Sequence, residues 1–205
     1  MCVIIGITHV KDRKWEMSEM AEISTREKLI LQGMEEIREH GMQGFSLRRV
    51  ASKCGVSCAA PYKHFADKQD LFVAMVDHII EKWDDRVKEN FRLRNTVEET
   101  IAAYARDYVA FLCEYPQFKS ILMIRDTAVD SPIALHAAGI SVPLARLFVM
   151  LKRKRGLDRD RIREIIFLVR SLMYGSTVIL SVDESEYESR LDLLESSVLA
   201  ALMKF

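Results

Sequence analysis

The sequence predicts an all-α protein: an N-terminal three-helix helix-turn-helix domain joined by a long helix to a larger C-terminal helical domain. Three observations predict it. Glycine and proline are scarce, which favours long helices. From Arg94 onward, helical patterns follow one another with no strand signal. The stretch Ser46–Lys68, SLRRVASKCGVSCAAPYKHFADK, reads as helix, tight glycine turn and short second helix.

With 205 residues the chain can form one large domain or two small ones around a real core. Its net charge is zero, so overall charge gives no sign of nucleic-acid affinity. The local distribution does. Ser46 to Phe65 holds Arg48, Arg49, Lys53 and Lys63 and no acidic residue. A small helical pair with an acid-free basic face is what a DNA-docking unit needs. Cys2, Cys54, Cys58 and Cys113 lack the spacing of a disulfide framework, so a reduced, cytoplasmic compartment is expected. The start, MCVIIGITHV, has no basic n-region or cleavage site and is too short to span a bilayer.

Residues 1–22 show no clear period and read as a leader, disordered or upstream of the true start, with Met17 and Met20 as alternative starts. Ser24-Thr25-Arg26-Glu27 is a capping box that opens the first helix. Its apolar face is Leu29, Ile30, Met34 and Ile37, and it stops at His40-Gly41. The second helix runs from a Ser46 cap to about Cys54. Leu47, Val50 and Ala51 face inward, leaving Arg48, Arg49, Ser52 and Lys53 outward. Gly55-Val56-Ser57 makes the turn, with Ser57 capping a third helix from Cys58 to Phe65. Cys58, Ala59 and Ala60 are small enough for close approach to base edges, and Tyr62, Lys63 and His64 carry donors for phosphates. Pro61 conflicts with this helix because it lacks an N–H, which distorts the first turn or moves the start to Pro61 itself. Asp67 caps a long helix through Leu71, Phe72, Met75, Val76, Ile79 and Trp83 to about Asn90, with Lys68 in its first turn.

Taken together, Phe45-Ser46, Arg48-Arg49-Val50-Ala51, Gly55-Val56-Ser57, Tyr62-Lys63-His64-Phe65, Asp67-Lys68 and Leu71-Phe72 make Ser24–Ile80 resemble the DNA-binding domain of the TetR family of bacterial transcription regulators. The resemblance implies that Cys58, Ala59 and Ala60 meet bases. It implies that Ser46, Arg48, Tyr62, Lys63, His64 and Lys68 mainly hold phosphates, and Arg49 and Ser57 complete the expected set. The implied organisation is a leader over 1–22, the helix-turn-helix domain over 23–83, and an effector-binding and dimerisation domain over 84–205.

In that C-terminal part, helices are expected over Thr96–Tyr115, Pro116–Arg125, from Ser131-Pro132, over Leu144–Arg155, from Asp158 to about Val182, and over 185–205. Ile165–Val182 is apolar, but Arg170 and several Ser and Thr residues argue against a membrane span. Tyr104, Tyr108, Phe111, Phe118, Met123, His136, Met150 and Tyr174 have helical spacing that suits simple core. The family's small, often apolar effectors make them candidate pocket residues. Apolar stripes on the last two helices suggest a partner surface. The resemblance turns Ile166, Val169, Met173, Leu191, Leu194, Val198 and Leu202 into a homodimer interface.

Lys152-Arg153-Lys154-Arg155 reads as a helix C-terminus complementing the helix dipole. Cys54 and Cys58 with His64 fall short of a metal's ligand set, so no metal is expected. No paired carboxylates, phosphate-cradling glycine loop or nucleophile motif marks an enzyme. The expectation is a regulator without cofactor whose partners are an operator duplex, a second copy of itself and a small-molecule effector. It is most often a repressor in this family; the alternative is a helical protein-interaction module that keeps the fold without effector control.

Overall fold

The computed structural model describes residues 23–90, 94–116, 119, 138–180 and 186–205. Seven α-helices form among them, with no strand. They divide into two compact units, the residues up to Leu71 and those from Phe72 onward. The division falls within the long third helix, earlier than the expected 83/84 boundary.

In the first unit, α1 spans Thr25–His40 and α2 spans Leu47–Lys53, followed by a 3-10 turn at Pro61–Lys63. The Ser24 hydroxyl accepts the Glu27 N–H at 3.2 Å, and Ser46 accepts Arg49 N–H at 3.4 Å, so both caps sit where the sequence puts them. Seven residues cannot hold a helix in water by themselves. Packing therefore decides α2: Val50 and Ala51 are fully buried with Leu29, Met34, Ile37, Phe45 and Phe65 in the core of this unit. Each buried Leu, Ile, Val, Met or Phe contributes about 1.5–3 kcal/mol. Gly55 carries φ +70°, the left-handed backbone that ends α2 and that other residues adopt only with strain.

The long helix α3, Lys68–Asn90, opens with a reciprocal pair: Asp67 Oδ1 accepts the Asp70 N–H and Asp70 Oδ2 accepts the Ala66 N–H, both at 2.8 Å. Its end at Asn90 agrees with the sequence.

The second unit is built on α4, Val97–Glu114, capped by a true capping box between Thr96 and Glu99. Because Ile101–Ala105 and Tyr108–Leu112 are all buried, α4 is apolar almost all round and is the central helix of this unit. Against it pack α5 (Val142–Arg155), α6 (Arg159–Leu180) and α7 (Tyr187–Lys204). A second 3-10 turn, Ala138–Ser141, leads into α5, and Asp158 caps α6 through the Arg161 N–H at 2.7 Å. The basic end of α5 is more than a dipole partner. Glu98 is buried and bonds Lys154 Nζ at 2.9 Å and Arg155 Nε at 2.8 Å, and Arg155 also reaches the Leu202 carbonyl at 2.8 Å. These contacts lock the start of α4 to the ends of α5 and α7.

Among the described residues no helix is long and apolar enough to cross a membrane. The leader 1–22, the expected helix 116–125 except its first residue and Lys119, the start at Ser131-Pro132, and residues 181–185 between the last two expected helices lie outside the described residues.

Candidate nucleic-acid interface

The stretch from Ser46 to Lys68 departs from the sequence expectation at its second half. No α-helix forms between Cys58 and Phe65. Ala60 N–H bonds the Ser57 carbonyl at 2.9 Å, Lys63 N–H bonds Ala60 at 3.1 Å, and His64 N–H bonds Pro61 at 3.0 Å, all of the tight i to i+3 kind. Only Phe65 N–H to Pro61, at 2.9 Å, closes an α-type turn. The cause is Pro61: with no N–H it cannot bond Ser57, and its ring is buried as an anchor beside Phe65. Ser57 is therefore a carbonyl acceptor here, and no hydroxyl cap from it forms. The expected third helix is two linked 3-10-like turns.

Those turns still present the expected side chains. Cys58, Ala59, Tyr62, Lys63 and His64 are exposed, Tyr62 at 62%, and Ala60 is half-buried. Arg48 is exposed on α2, and neither it nor Tyr62 nor Lys63 has a partner among the described residues. Lys68 lies with its ammonium 4.9 Å over the Phe45 ring, which fixes the α3 start.

Arg49 and Lys53 are different. They face outward as expected and are solvent-exposed, yet both are committed to acids of α1. Arg49 Nε donates to Glu36 Oε1 at 2.6 Å and its Nη2 to the Gly44 carbonyl. Lys53 pairs with Glu39, whose carboxyl is held below its ordinary range chiefly by that hydrogen bond. The basic face is acid-free in sequence and not in space. Burial pushes the Cys54 thiol up, and its S–H reaches the Lys28 carbonyl at 3.5 Å, so it serves as core.

The expected effector and dimer residues of the second unit are also redistributed. Trp83, fully buried, fills the centre of the aromatic group. Its ring centroid lies 5.1 Å from Tyr104, 5.5 Å from Tyr108 and 5.2 Å from Phe111. Trp83 Nε1–H donates to Tyr104 Oη at 3.2 Å, and Tyr104 donates to the Ile140 carbonyl at 2.9 Å. These residues are packed core. The space left beside Tyr104, Tyr108 and Tyr174 is about 10 Å³, room for a single water at most. Met150 is exposed, outside any such cavity. Phe118, Met123 and His136 lie outside the described residues.

An open groove of about 360 Å³ lies instead between α5 and α6, floored by Leu144, Phe148, Ile162 and Ile166, with Lys152 and Arg170 at its edge. The groove was not legible in the sequence because Lys152 and Arg170 are far apart in the chain, one reading as a helix C-terminal charge and the other as a break in an apolar run.

Of the expected interface, Val169, Met173, Leu191, Leu194, Val198 and Leu202 are buried within the single chain, and Ile166 floors the groove. Within the single chain these stripes pack into its own core. The large apolar side chains exposed on α6 and α7 are others: Phe167 at 75% exposure, Tyr174, Val178 and Ile179 on α6, and Leu193 and Met203 on α7.

Residues 29–75 match the family model described as bacterial regulatory proteins, tetR family. The helix-turn-helix segment is that of the TetR family. Among TetR-like relatives and neighbours, it is 27% identical over 123 residues to the nucleoid occlusion factor SlmA of Actinobacillus pleuropneumoniae, covering 58% of this chain and 61% of that protein. It is 24% identical over 160 residues to the HTH-type transcriptional regulator CymR of Pseudomonas putida, covering 76% of this chain and 79% of that protein. The chain thus spans about three fifths of SlmA's length. The fold is similar to the transcriptional regulator FadR of Bacillus subtilis solved with stearoyl-CoA, with TM-score 0.70 and 18% identity over 86% of this chain and 96% of that one.

Proposed function

We propose that the protein is a transcription regulator, acting as a repressor, that binds a palindromic operator as a homodimer and is released by a small-molecule effector. The observation that carries the DNA-binding part is the presentation of Arg48, Tyr62 and Lys63: exposed and unpartnered among the described residues, around a turn whose tip carries only small side chains. Cations and hydroxyls of that kind position a protein on phosphates, while small residues let backbone and methyl groups approach base edges. Binding to the duplex upstream of its own gene tests this, and equal affinity for scrambled duplex of the same length would refute it.

Homodimerisation is supported by the outward face of α6. Phe167, Tyr174 and Val178 are spaced by seven and four residues, which places them on one side of the helix, and all are exposed. Phe167→Glu should shift sedimentation from dimer to monomer; a monomeric wild type would refute the pairing.

The α5–α6 groove supports an apolar effector that carries an anionic group, because its floor is aliphatic and aromatic and its edge holds Lys152 and Arg170. A neighbour in fold was solved with stearoyl-CoA, and an acyl chain with an anionic head has the chemistry this groove accepts. Raising thermal stability with palmitoyl-CoA in wild type and losing that gain in Arg170→Ala is the expected pattern. No shift in either would exclude this ligand class.

A further inference from the structure

We infer that Glu36 is a positioning residue for the DNA-reading unit: through Arg49 it fixes the N-terminus of α2, and it withdraws Arg49 from the charges offered to DNA, as Glu39 does Lys53. The inference rests on the DNA-binding reading above.

Glu36 lies on α1 with its side chain fully buried. Its Oε1 accepts from Arg49 Nε at 2.6 Å, with Arg49 Nη2 2.5 Å away, and from the backbone N–H of Ser46, the cap of α2, at 3.3 Å. The same guanidinium donates to the Gly44 carbonyl. One carboxylate and one arginine thus join α1, the turn after it and the first turn of α2. Glu36 Oε2 is buried without a hydrogen-bond partner; the nearest side-chain nitrogens are His40 Nδ1 at 3.5 Å and Lys53 Nζ at 3.7 Å. Removing Arg49 to a phosphate would leave this buried carboxylate with only the Ser46 N–H and the more distant Lys53 ammonium, which is unfavourable. Glu36, Glu39 and His40 also lie close enough together to suggest a cation site, but the Lys53 ammonium already stands against both carboxylates.

The consequence is countable. Of the four cations between Ser46 and Phe65, Arg49 and Lys53 are neutralised by α1, leaving Arg48 and Lys63 for phosphates. Arg49 therefore acts on DNA through the place it gives α2, and its charge is not counted in the salt dependence of binding.

The test measures affinity against salt concentration for wild type, Arg49→Gln, Glu36→Gln and Lys63→Gln. The probes are a duplex enriched from a random library by the wild-type protein and a scrambled duplex. Arg49→Gln is expected to keep the wild-type slope while its preference for the enriched duplex falls about tenfold. Lys63→Gln, the control, should lose about 0.9 of slope per half-site. Glu36→Gln should steepen the slope on scrambled duplex, because the Arg49 charge is no longer neutralised, while Lys53 stays on Glu39.

An Arg49→Gln slope that drops as far as the control, with preference intact, makes Arg49 a phosphate ligand and overturns the inference. So does a Glu36→Gln protein unchanged in slope and preference. Arg49→Lys guards against a variant that fails to fold: it keeps the charge, cannot span Glu36 and Gly44 together, and should lose preference at unchanged slope. A wild type without salt-dependent affinity, or an inert Lys63 control, sinks the DNA reading itself and this inference with it.

Discussion

Trp83→Ala is the sharpest test of the second unit's core. Trp83 is fully buried with three aromatic rings between 5.1 and 5.5 Å from its own. Truncation to Ala removes roughly 140 Å³ of side chain, and at about 24 cal/mol per Å³ of unrelaxed cavity that alone is about 3 kcal/mol. The bond from Nε1–H to Tyr104 Oη goes too, while Tyr104 keeps its donation to Ile140, so no buried donor is orphaned. The total expected is about 3–5 kcal/mol, the range for burying Ala where Trp stood. Urea unfolding followed by far-ultraviolet circular dichroism reads this as a lower midpoint at unchanged slope. Trp15 is the only other tryptophan, so Trp15→Phe isolates Trp83 fluorescence as a second probe of the wild-type core. If these aromatics lined an open effector cavity, truncation would cost little. A loss below about 1 kcal/mol would refute the packed-core account.

Ala59→Asp should abolish DNA binding with no fall in melting temperature, since Ala59 is exposed; retained affinity would mean the 58–60 turn is not the reader. Gly55→Ala has open space for its Cβ but inherits φ +70°, so it should lose about 1–2 kcal/mol, with Gly55→Asn milder; an unchanged melt would remove the strain argument. Burial works to raise the Glu98 carboxyl pKa, but the Lys154 hydrogen bond and Arg155 outweigh it and hold it below the ordinary range. A folded-state pKa below the unfolded one gives stability that is present above the unfolded value, about 4.3, and lost as pH falls through the folded value. Glu98→Gln should therefore be clearly less stable than wild type near neutral pH, with the gap closing in acid; a gap that does not change with pH would contradict the pairing.

Much of this fold is legible in the sequence because its helix ends are chemically marked. Ser24, Ser46, Asp67, Thr96 and Asp158 each sit where a side-chain oxygen can meet the free N–H groups of a first turn, and each does so. Pro61 shows the limit of that reading. Its missing N–H was visible, yet only the packed chain shows that its ring is buried and that the segment settles into 3-10-like turns. Periodicity correctly found the apolar faces of α6 and α7, but a stripe does not say whether it meets its own chain or another; Val169 and Leu194 meet their own. The pairing of Glu36 with Arg49 joins residues on separate helices, so an acid-free stretch of sequence became a partly neutralised surface. Trp83 read as one more residue on an amphipathic helix, and its place among Tyr104, Tyr108 and Phe111 emerges only from how α3 and α4 meet.

The most direct test of the DNA-binding account is enrichment of random duplexes by the full chain, followed by affinity measurements on the winners. The account predicts a two-fold symmetric motif, half-sites about 10–10.5 base pairs apart or a multiple of that, and equal weakening at every sequence in Lys63→Ala. Enrichment of no sequence, or a motif whose affinity is unchanged by Lys63→Ala and Tyr62→Ala together, would contradict it.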